Sequence, residues 1–235
     1  MKYSSLNHNS SPTSFMKAVI NGLAPDKGLY FPQEKVILSK DFIESIKNID
    51  DVEICYEVMN KYVGDEIPKQ KLIEIINNTI SFKIPLKKID DSIYSLELFH
   101  GPTLAFKDIG AKFMAQCLDY FKSSYSSKKI TVLVATSGDT GGAVAKGFSS
   151  TKDIEVCILY PKDKISKVQE RQITTNGNYV KAIEVEGDFD KCQSMVKKAF
   201  NDEEIIRKIA LTSANSINVA RWLPQIFYYF LAYKK

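Results

Sequence analysis

The chain has 235 residues, of which 44% are hydrophobic and 11% aromatic, and its 32 Lys and Arg against 28 Asp and Glu give a formal net charge of +4. This length favours one large domain or two small ones, and the apolar content excludes a disordered tail. The lysines are scattered along the chain, so the weak positive charge does not indicate a nucleic-acid-binding protein.

The cysteines and histidines are too few and too far apart for a metal or redox motif. The cysteines, which we interpret as reduced core residues, are Cys55, Cys117, Cys157 and Cys192. No apolar run approaches the ~20 residues that span a bilayer, and the first residues lack the apolar segment of a secretory signal. We therefore expect a cytoplasmic protein without a metal ion or a membrane partner.

The first third of the chain is predicted to be mostly helical. Apolar spacing predicts a short helix over residues 15–20, and turn-forming residues then flank a short extended piece within 24–32. Ser39 is the predicted N-cap of the next helix. The three further predicted helices span residues 39–47, 53–62 and 68–79.

From residue 93 onwards, strands and helices alternate. The predicted strands span 93–98, 129–135, 155–160, 179–185 and 209–212, and the predicted helices span 106–122, 140–149, 166–175, 189–200 and 217–233. Apolar strands that alternate with helices are typical of a parallel sheet covered on both faces. The prediction is therefore an α/β fold, with a helical N-terminal domain (1–92), a boundary near 88–93 and a doubly wound parallel-sheet domain (93–235).

The strongest local signal is the segment 135–143, with the sequence ATSGDTGGA. It follows a predicted buried strand and opens a helix, whose free N–H groups and dipole favour a phosphate or carboxylate. It also lies at the carboxyl end of a strand, where open α/β sheets bind ligands. The segment is neither GxGxxG nor a P-loop. The alternative is a glycine-rich turn that serves packing only.

Two further segments carry candidate functional residues. Lys107 lies between apolar residues at a loop-to-helix junction, where burial would lower its pKa and allow it to form a Schiff base or act as a base. The alternative is a surface lysine followed by Asp108 as a helix cap. In the segment 213–221, Asn218 and Arg221 share a helix face, and the Asn-Ser pair at the start together with the arginine one turn on could clamp a phosphate. The alternative there is an Asn or Ser N-cap followed by a solvated arginine.

Together these segments resemble the bacterial-type threonine synthase family over essentially all 235 residues. The motifs that carry the resemblance follow one another in order at 22–32 (GLAPDKGLYFP), 96–108, 135–143, 160–162, 164–170, 186–190 and 215–221. This family consists of pyridoxal-phosphate (PLP) enzymes of fold type II, the tryptophan-synthase-β-like fold. The resemblance implies a small α/β subdomain at about 111–212.

The resemblance also implies a role for individual residues. Lys107 would hold PLP as a Schiff base and then act as a mobile base, and Asp139 would lie near the phenolic oxygen of the cofactor. The residues expected to bind the carboxylate or phosphate of the substrate are Thr136, Ser137, Thr140, Asn215, Ser216 and Arg221. The implied reaction converts O-phospho-L-homoserine and water to L-threonine and phosphate.

The chain departs from the family pattern in its length. In the family, a glycine-rich loop for the cofactor phosphate and a hydroxyl partner for the pyridine nitrogen follow the helix that corresponds to 217–233. We therefore expect an incomplete domain with an exposed apolar last helix. Three hypotheses follow: part of a threonine synthase that needs the missing half, a related phospholyase, or a non-catalytic fragment that binds a phosphorylated metabolite or a partner, or self-associates.

Overall fold

A computed structural model of the chain describes residues 1–125 and 129–235. Its first part is mostly helical, as predicted, with two antiparallel strand pairs, β1 with β2 and β3 with β4. The elements of this part are β1 (Tyr3–Ser5), α1 (Phe15–Asn21), β2 (Tyr30–Pro32), α2 (Lys40–Ser45), α3 (Asp51–Val63), α4 (Lys69–Thr79), β3 (Leu86–Asp90) and β4 (Ile93–Leu96).

Side-chain caps set the beginnings of these helices. The Ser39 hydroxyl accepts a hydrogen bond from the Phe42 N–H at 3.2 Å, which confirms the predicted N-cap of α2. Helix α3 begins earlier than predicted because the Asp50 carboxylate accepts from two N–H groups of its first turn. Gly64 ends the same helix with a positive φ of 63°.

The second part alternates strands and helices, as predicted. Its elements are α5 (Lys107–Tyr125), β5 (Ile130–Ala135), α6 (Asp139–Phe148), β6 (Ile154–Pro161), α7 (Lys167–Thr174), β7 (Val180–Val185), α8 (Phe189–Ala199), α9 (Glu203–Lys208), β8 (Ala210–Ser213), α10 (Val219–Trp222) and α11 (Ile226–Lys234). Within residues 129–235, the four strands form a parallel sheet in the order β7-β6-β5-β8.

The central strand of this sheet is buried on both faces, which confirms the doubly wound α/β prediction. Every residue of the central strand β5 is buried. Val132 and Val134 join the main core, whereas their neighbours Leu133 and Ala135 pack in a second cluster with residues of α8. This division follows from the two-residue period of a strand, which sends alternate side chains to opposite faces.

Three local features differ from the sequence-based prediction. The strand β3, within whose hairpin with β4 the predicted boundary at 88–93 lies, is absent from the prediction because most of its residues are exposed. The short helix α9 was not predicted. The predicted helix 217–233 is broken into α10, a 3-10 turn (Leu223–Gln225) and α11, because Pro224 lacks the N–H that a continuous helix needs.

The last helix corrects the expectation of an exposed apolar C-terminus. Phe227, Tyr228 and Leu231 of α11 are buried in the main core. The Lys234 amine donates to the Asp51 carboxylate at 2.8 Å, which ties the end of α11 to the start of α3. The helix docks on the N-terminal region, which is distant in sequence, so the expectation of an exposed last helix is wrong.

The main core of the described residues contains side chains from both sides of the predicted boundary, from Tyr3 to Leu231. The division into two domains therefore stays a prediction. Cys55, Cys117 and Cys192 are buried as expected, and Cys157 is half-buried. Within residues 1–125 and 129–235, no helix has the length and apolar character that crossing a bilayer requires.

Candidate active site

Lys107 is the first residue of α5, and its amine faces a carboxylate from another segment. Its Nζ lies 3.7 Å from Oδ2 of Asp139, and the Lys107 side chain is 25% exposed. The same amine lies 4.3 Å from the ring centroid of Phe106, a cation–π distance. Lys107 is therefore neither fully buried nor a free surface lysine. Its amine is held between a carboxylate and an aromatic ring.

The backbone around Lys107 is held by groups on three neighbouring residues. The Tyr228 hydroxyl donates to the carbonyl of Phe106, and Nη1 of Arg221 donates to the carbonyl of Lys107 at 3.1 Å. The Asp108 carboxylate accepts from the backbone N–H and the hydroxyl of Thr103. Burial raises the pKa of Asp108, and the bonds from Thr103 act in the opposite direction.

The turn at 135–143 places polar groups at the carboxyl end of β5. Ser137 and Asp139 are exposed, Thr140 is half-buried and Thr136 is buried. The Thr136 hydroxyl accepts from the N–H groups of Gly138 at 3.0 Å and Gly141 at 2.8 Å. The predicted ligand roles of Thr136, Ser137 and Thr140 stay predictions, and the structure shows that the Thr136 hydroxyl also stabilises the turn itself.

Gln169 is a site residue that the sequence analysis missed. Its Nε2 donates to Oδ1 of Asp139 at 2.8 Å, while its Oε1 accepts from the N–H of Ser166 in a capping box at the start of α7. Gly138 makes this approach possible, because a Cβ there would lie 2.4 Å from Cδ of Gln169, and its φ of +134° disfavours other residues. The S-x-x-Q pattern of the capping box was the available signal.

Asn215 connects the segment 213–221 to the glycine-rich turn at 135–143. Its Nδ2 donates to the carbonyl of Ala135 at 2.9 Å, at the carboxyl ends of β5 and β8, whereas Ser216 is exposed. Asn218 caps α10 and also donates to the carbonyl of Val19 at 2.8 Å, which confirms the capping alternative for this residue. The phosphate-binding roles of Asn215 and Ser216 stay predictions.

Arg221 is not the solvated arginine that the capping alternative assumed. It is 4% exposed, and two of its donors are bonded to the backbone carbonyls of Ala214 and Lys107. The sequence pattern places Arg221 on a helix face but does not show that this face turns into the core. Its predicted contact with a substrate phosphate stays a prediction, for which only its remaining donors are available.

The glycine-rich turn, the lysine segment and the segment 213–221 contact one another in pairs. Lys107 pairs with Asp139, Asn215 bonds to Ala135, and Arg221 bonds to the carbonyl of Lys107. They converge beside the N-terminus of α6, whose first N–H groups have no intrahelical acceptors. The arrangement combines a partly exposed amine, a carboxylate and a helix N-terminus. It can attack a carbonyl compound and hold an anionic group nearby.

The substitution Thr136→Val tests how the turn is held. Valine has a similar shape but leaves the N–H groups of Gly138 and Gly141 without this acceptor, so we expect a loss of about 1–3 kcal/mol in the free energy of unfolding. Urea unfolding measures the loss. The matched control, Thr140→Val, should change stability by less than about 0.5 kcal/mol. Equal losses for the two variants would contradict this role of Thr136.

Two family models match the chain. The model described as Threonine synthase N terminus matches residues 2–80, and the model described as Pyridoxal-phosphate dependent enzyme matches residues 77–226. Among curated relatives, the threonine synthase of Escherichia coli (strain K12) is 43% identical over 99% of this chain and 54% of that protein. The threonine synthase of Schizosaccharomyces pombe is 40% identical over 99% of this chain and 48% of that protein.

Solved structures agree with these matches. The crystal structure of threonine synthase from Escherichia coli superposes with a TM-score of 0.90 at 42% identity and covers 98% of this chain and 53% of that chain. A PLP-bound threonine synthase from Brucella melitensis gives a TM-score of 0.92 at 38% identity, over 100% of this chain and 52% of that chain. The chain thus spans about half the length of the relatives it matches. It belongs to the family of pyridoxal-phosphate dependent enzymes.

Proposed function

We propose that this chain forms the lysine-bearing part of a PLP site in a protein that converts O-phospho-L-homoserine and water to L-threonine and phosphate. The observation that carries the proposal is the pairing of the Lys107 amine with Asp139 beside the N-terminus of α6. The similarity to threonine synthases over 99% of the chain supports the choice of reaction. We infer that turnover also requires the polypeptide that corresponds to the rest of these relatives.

The residues present fit the cofactor. Lys107 supplies a partly exposed amine, which is the group that binds the PLP aldehyde in this family. Asp139 supplies a carboxylate that would face the phenolic oxygen, and Gln169 fixes the orientation of that carboxylate. Lys107 and Asp139 would therefore hold the cofactor from this chain. When bound, PLP supplies an electron sink for carbon–hydrogen bond cleavage next to the substrate nitrogen.

Lys107 would also move protons. Its flexible four-carbon stem lets Nζ reach both Cα and Cβ of the substrate, so that one amine can take a proton at each position. The reaction needs both transfers, because phosphate leaves from Cγ, which gains a proton in its place, the hydroxyl of water is added at Cβ, and the Cα proton is returned. The neighbouring Asp139 carboxylate, 3.7 Å away, orients the amine between transfers.

The helix end beside Lys107 would bind the anionic part of the substrate. Ser137 is exposed and Thr140 half-buried, and both lie where the first N–H groups of α6 are free of intrahelical acceptors. Hydroxyl and backbone donors at such a position bind a carboxylate or a phosphate. We assign the substrate carboxylate or phosphate to Ser137 and Thr140, with Asn215 and Ser216 at the adjacent strand end as further donors.

Product analysis on a chimaera tests the proposal. Residues 1–235 are joined to the remaining part of the Escherichia coli threonine synthase, and the purified protein is supplied with PLP and O-phospho-L-homoserine. We expect threonine and phosphate in equal amounts. The same chimaera with Lys107→Ala is the matched control and should lose at least about 100-fold in rate, in keeping with loss of a general acid–base group.

The alternative functions give different products. Phosphate released with an unsaturated or keto acid in place of threonine would identify a phospholyase and overturn the synthase assignment. A folded chimaera that binds PLP at Lys107 but releases no phosphate would favour the non-catalytic hypothesis. A chimaera whose activity is unchanged by Lys107→Ala would contradict the role of this lysine.

A further inference from the structure

We propose that Arg221 is a positioning residue for Lys107, because its buried guanidinium holds the carbonyl of Lys107 against the end of β8 and so directs the amine towards Asp139. The proposal rests on the proposed function only in that Lys107 is the residue that binds the cofactor. It assigns Arg221 a task on the backbone of the chain, distinct from the phosphate contact that the resemblance implies.

The guanidinium joins two parts of the fold. Its Nε donates to the carbonyl of Ala214 at 2.8 Å, directly after β8, and its Nη1 donates to the carbonyl of Lys107 at 3.1 Å, at the start of α5. Because the guanidinium is planar and its donors have a fixed geometry, the two bonds define both the separation and the angle between these carbonyls. A flexible single-donor side chain would leave that angle free.

The burial of Arg221 is better explained by positioning than by stability. Its side chain is 4% exposed, and burial lowers its pKa to about 10, with Tyr228 and Asp108 acting in the opposite direction. Among the ion pairs of the described residues, none involves Arg221. A buried cation is costly, and a well-packed apolar side chain often replaces one without loss of stability. The two carbonyl contacts therefore explain why this position holds an arginine.

Gly110 provides an independent sign of the close fit. A Cβ at this position would lie 2.4 Å from the carbonyl oxygen of Arg221 and 2.7 Å from its Nη1. The first turn of α5 thus lies so close to α10 that position 110 has no room for a side chain. A methyl group there would push the two helices apart and lengthen the bond to Lys107, even though Arg221 itself is unchanged.

The contacts on either side of Lys107 show what this anchoring achieves. The Tyr228 hydroxyl holds the preceding carbonyl, that of Phe106, so α10 and α11 fix two consecutive peptide groups. The side chain of Lys107 leaves this fixed backbone towards Asp139 and the Phe106 ring. A small rotation of the Lys107 peptide would move Nζ by much more than the peptide itself, because Nζ lies at the end of a long side chain.

The test compares Arg221→Met, which keeps the apolar stem, with Arg221→Lys, which keeps a cation with donors. The 235-residue chain is mixed with PLP and reduced with borohydride, and the adduct at Lys107 is measured by mass spectrometry relative to that at Lys112 on the same helix. A displacement of about 1 Å can cost roughly 100-fold in a reaction. We expect the ratio to fall by about 10–100-fold in Arg221→Met and to be partly restored in Arg221→Lys. Arg207→Met, at an exposed position, is the matched control.

A second readout needs no cofactor. Hydrogen–deuterium exchange of the peptide over residues 105–111 should accelerate in Arg221→Met while exchange in α4 stays unchanged. Gly110→Ala should reproduce both effects and serves if Arg221→Met fails to fold. Wild-type adduct ratios and wild-type exchange in a folded Arg221→Met chain would overturn the proposal. A wild-type chain without a Lys107 adduct would overturn the proposed function instead, and the exchange experiment would still decide the role of Arg221.

Discussion

The variant Lys107→Ala is expected to lose the borohydride-stable PLP adduct that the wild-type chain forms, because no other amine among the described residues has the surroundings of Lys107. Its Nζ faces the Asp139 carboxylate at 3.7 Å and the Phe106 ring at 4.3 Å. An amine held at a site reacts with an aldehyde in preference to freely moving surface amines, because its orientation is already fixed. The measurement is peptide mapping by mass spectrometry at equimolar PLP.

The matched control for this experiment is Lys112→Ala. Lys112 lies on the same helix, but its amine donates to the Ser81 hydroxyl on the protein surface. Its removal should leave the amount and position of the adduct unchanged. If wild-type and Lys107→Ala chains show the same adducts, spread over many lysines, then the chain holds no organised cofactor site and the proposed function is wrong.

The second large effect concerns the stability of the fold. Phe227→Ala is expected to lower the free energy of unfolding by about 3–5 kcal/mol, as is typical when a buried aromatic side chain is truncated. Phe227 is fully buried and packs edge-to-face on Phe113, with the ring centroids 6.3 Å apart. Urea unfolding of both proteins gives the difference between the two free energies.

Tyr229 provides the control on the same helix. It is two residues from Phe227 and 75% exposed, so Tyr229→Ala should change the free energy of unfolding by less than about 0.5 kcal/mol. This contrast tests the position of α11 directly. Similar small losses for both variants would show that α11 is not docked in solution, and would restore the expectation of an exposed C-terminal helix.

These predictions share one structural idea, which is that much of the site is built from contacts inside the chain. Thr136 holds the turn beside α6, Asn215 joins the ends of β5 and β8, and Arg221 holds the backbone of Lys107. Residues that a sequence comparison groups as ligands therefore also shape the site. A loss of activity on their substitution needs a stability or exchange measurement before it is attributed to substrate binding.

The fold could largely be predicted from the sequence because its signals are local. Buried strands such as β5 are continuous apolar runs, and helices such as α8 repeat apolar residues at helical spacing. Ser39 likewise lies next to the helix that it caps. The strand β3 was not predicted, because an exposed hairpin strand rich in lysine has no apolar alternation to detect.

The segments that form the candidate site could be identified from the sequence, but the contacts between them could not. The glycine-rich turn and the lysine segment were identified as chemistry-bearing segments, and the turn lies at the carboxyl end of β5, where open parallel sheets bind ligands. The contacts between the site residues could not be predicted, because the Lys107–Asp139 pair and the Gln169–Asp139 bond join residues about 30 positions apart. No local pattern fixes which side chains meet across such a distance.

The sequence by itself determined the fold class, the order of most elements and the family resemblance, and it predicts Lys107 as the reactive residue. Only the tertiary structure decided that Arg221 is buried against the Lys107 carbonyl, 114 positions away in the chain, and that α11 is packed against α3. The physical reason is that periodicity shows which face of an element is apolar, whereas burial depends on which distant element covers that face. A charged residue such as Arg221 is enclosed only when the surrounding backbone supplies the carbonyls that accept its hydrogen bonds.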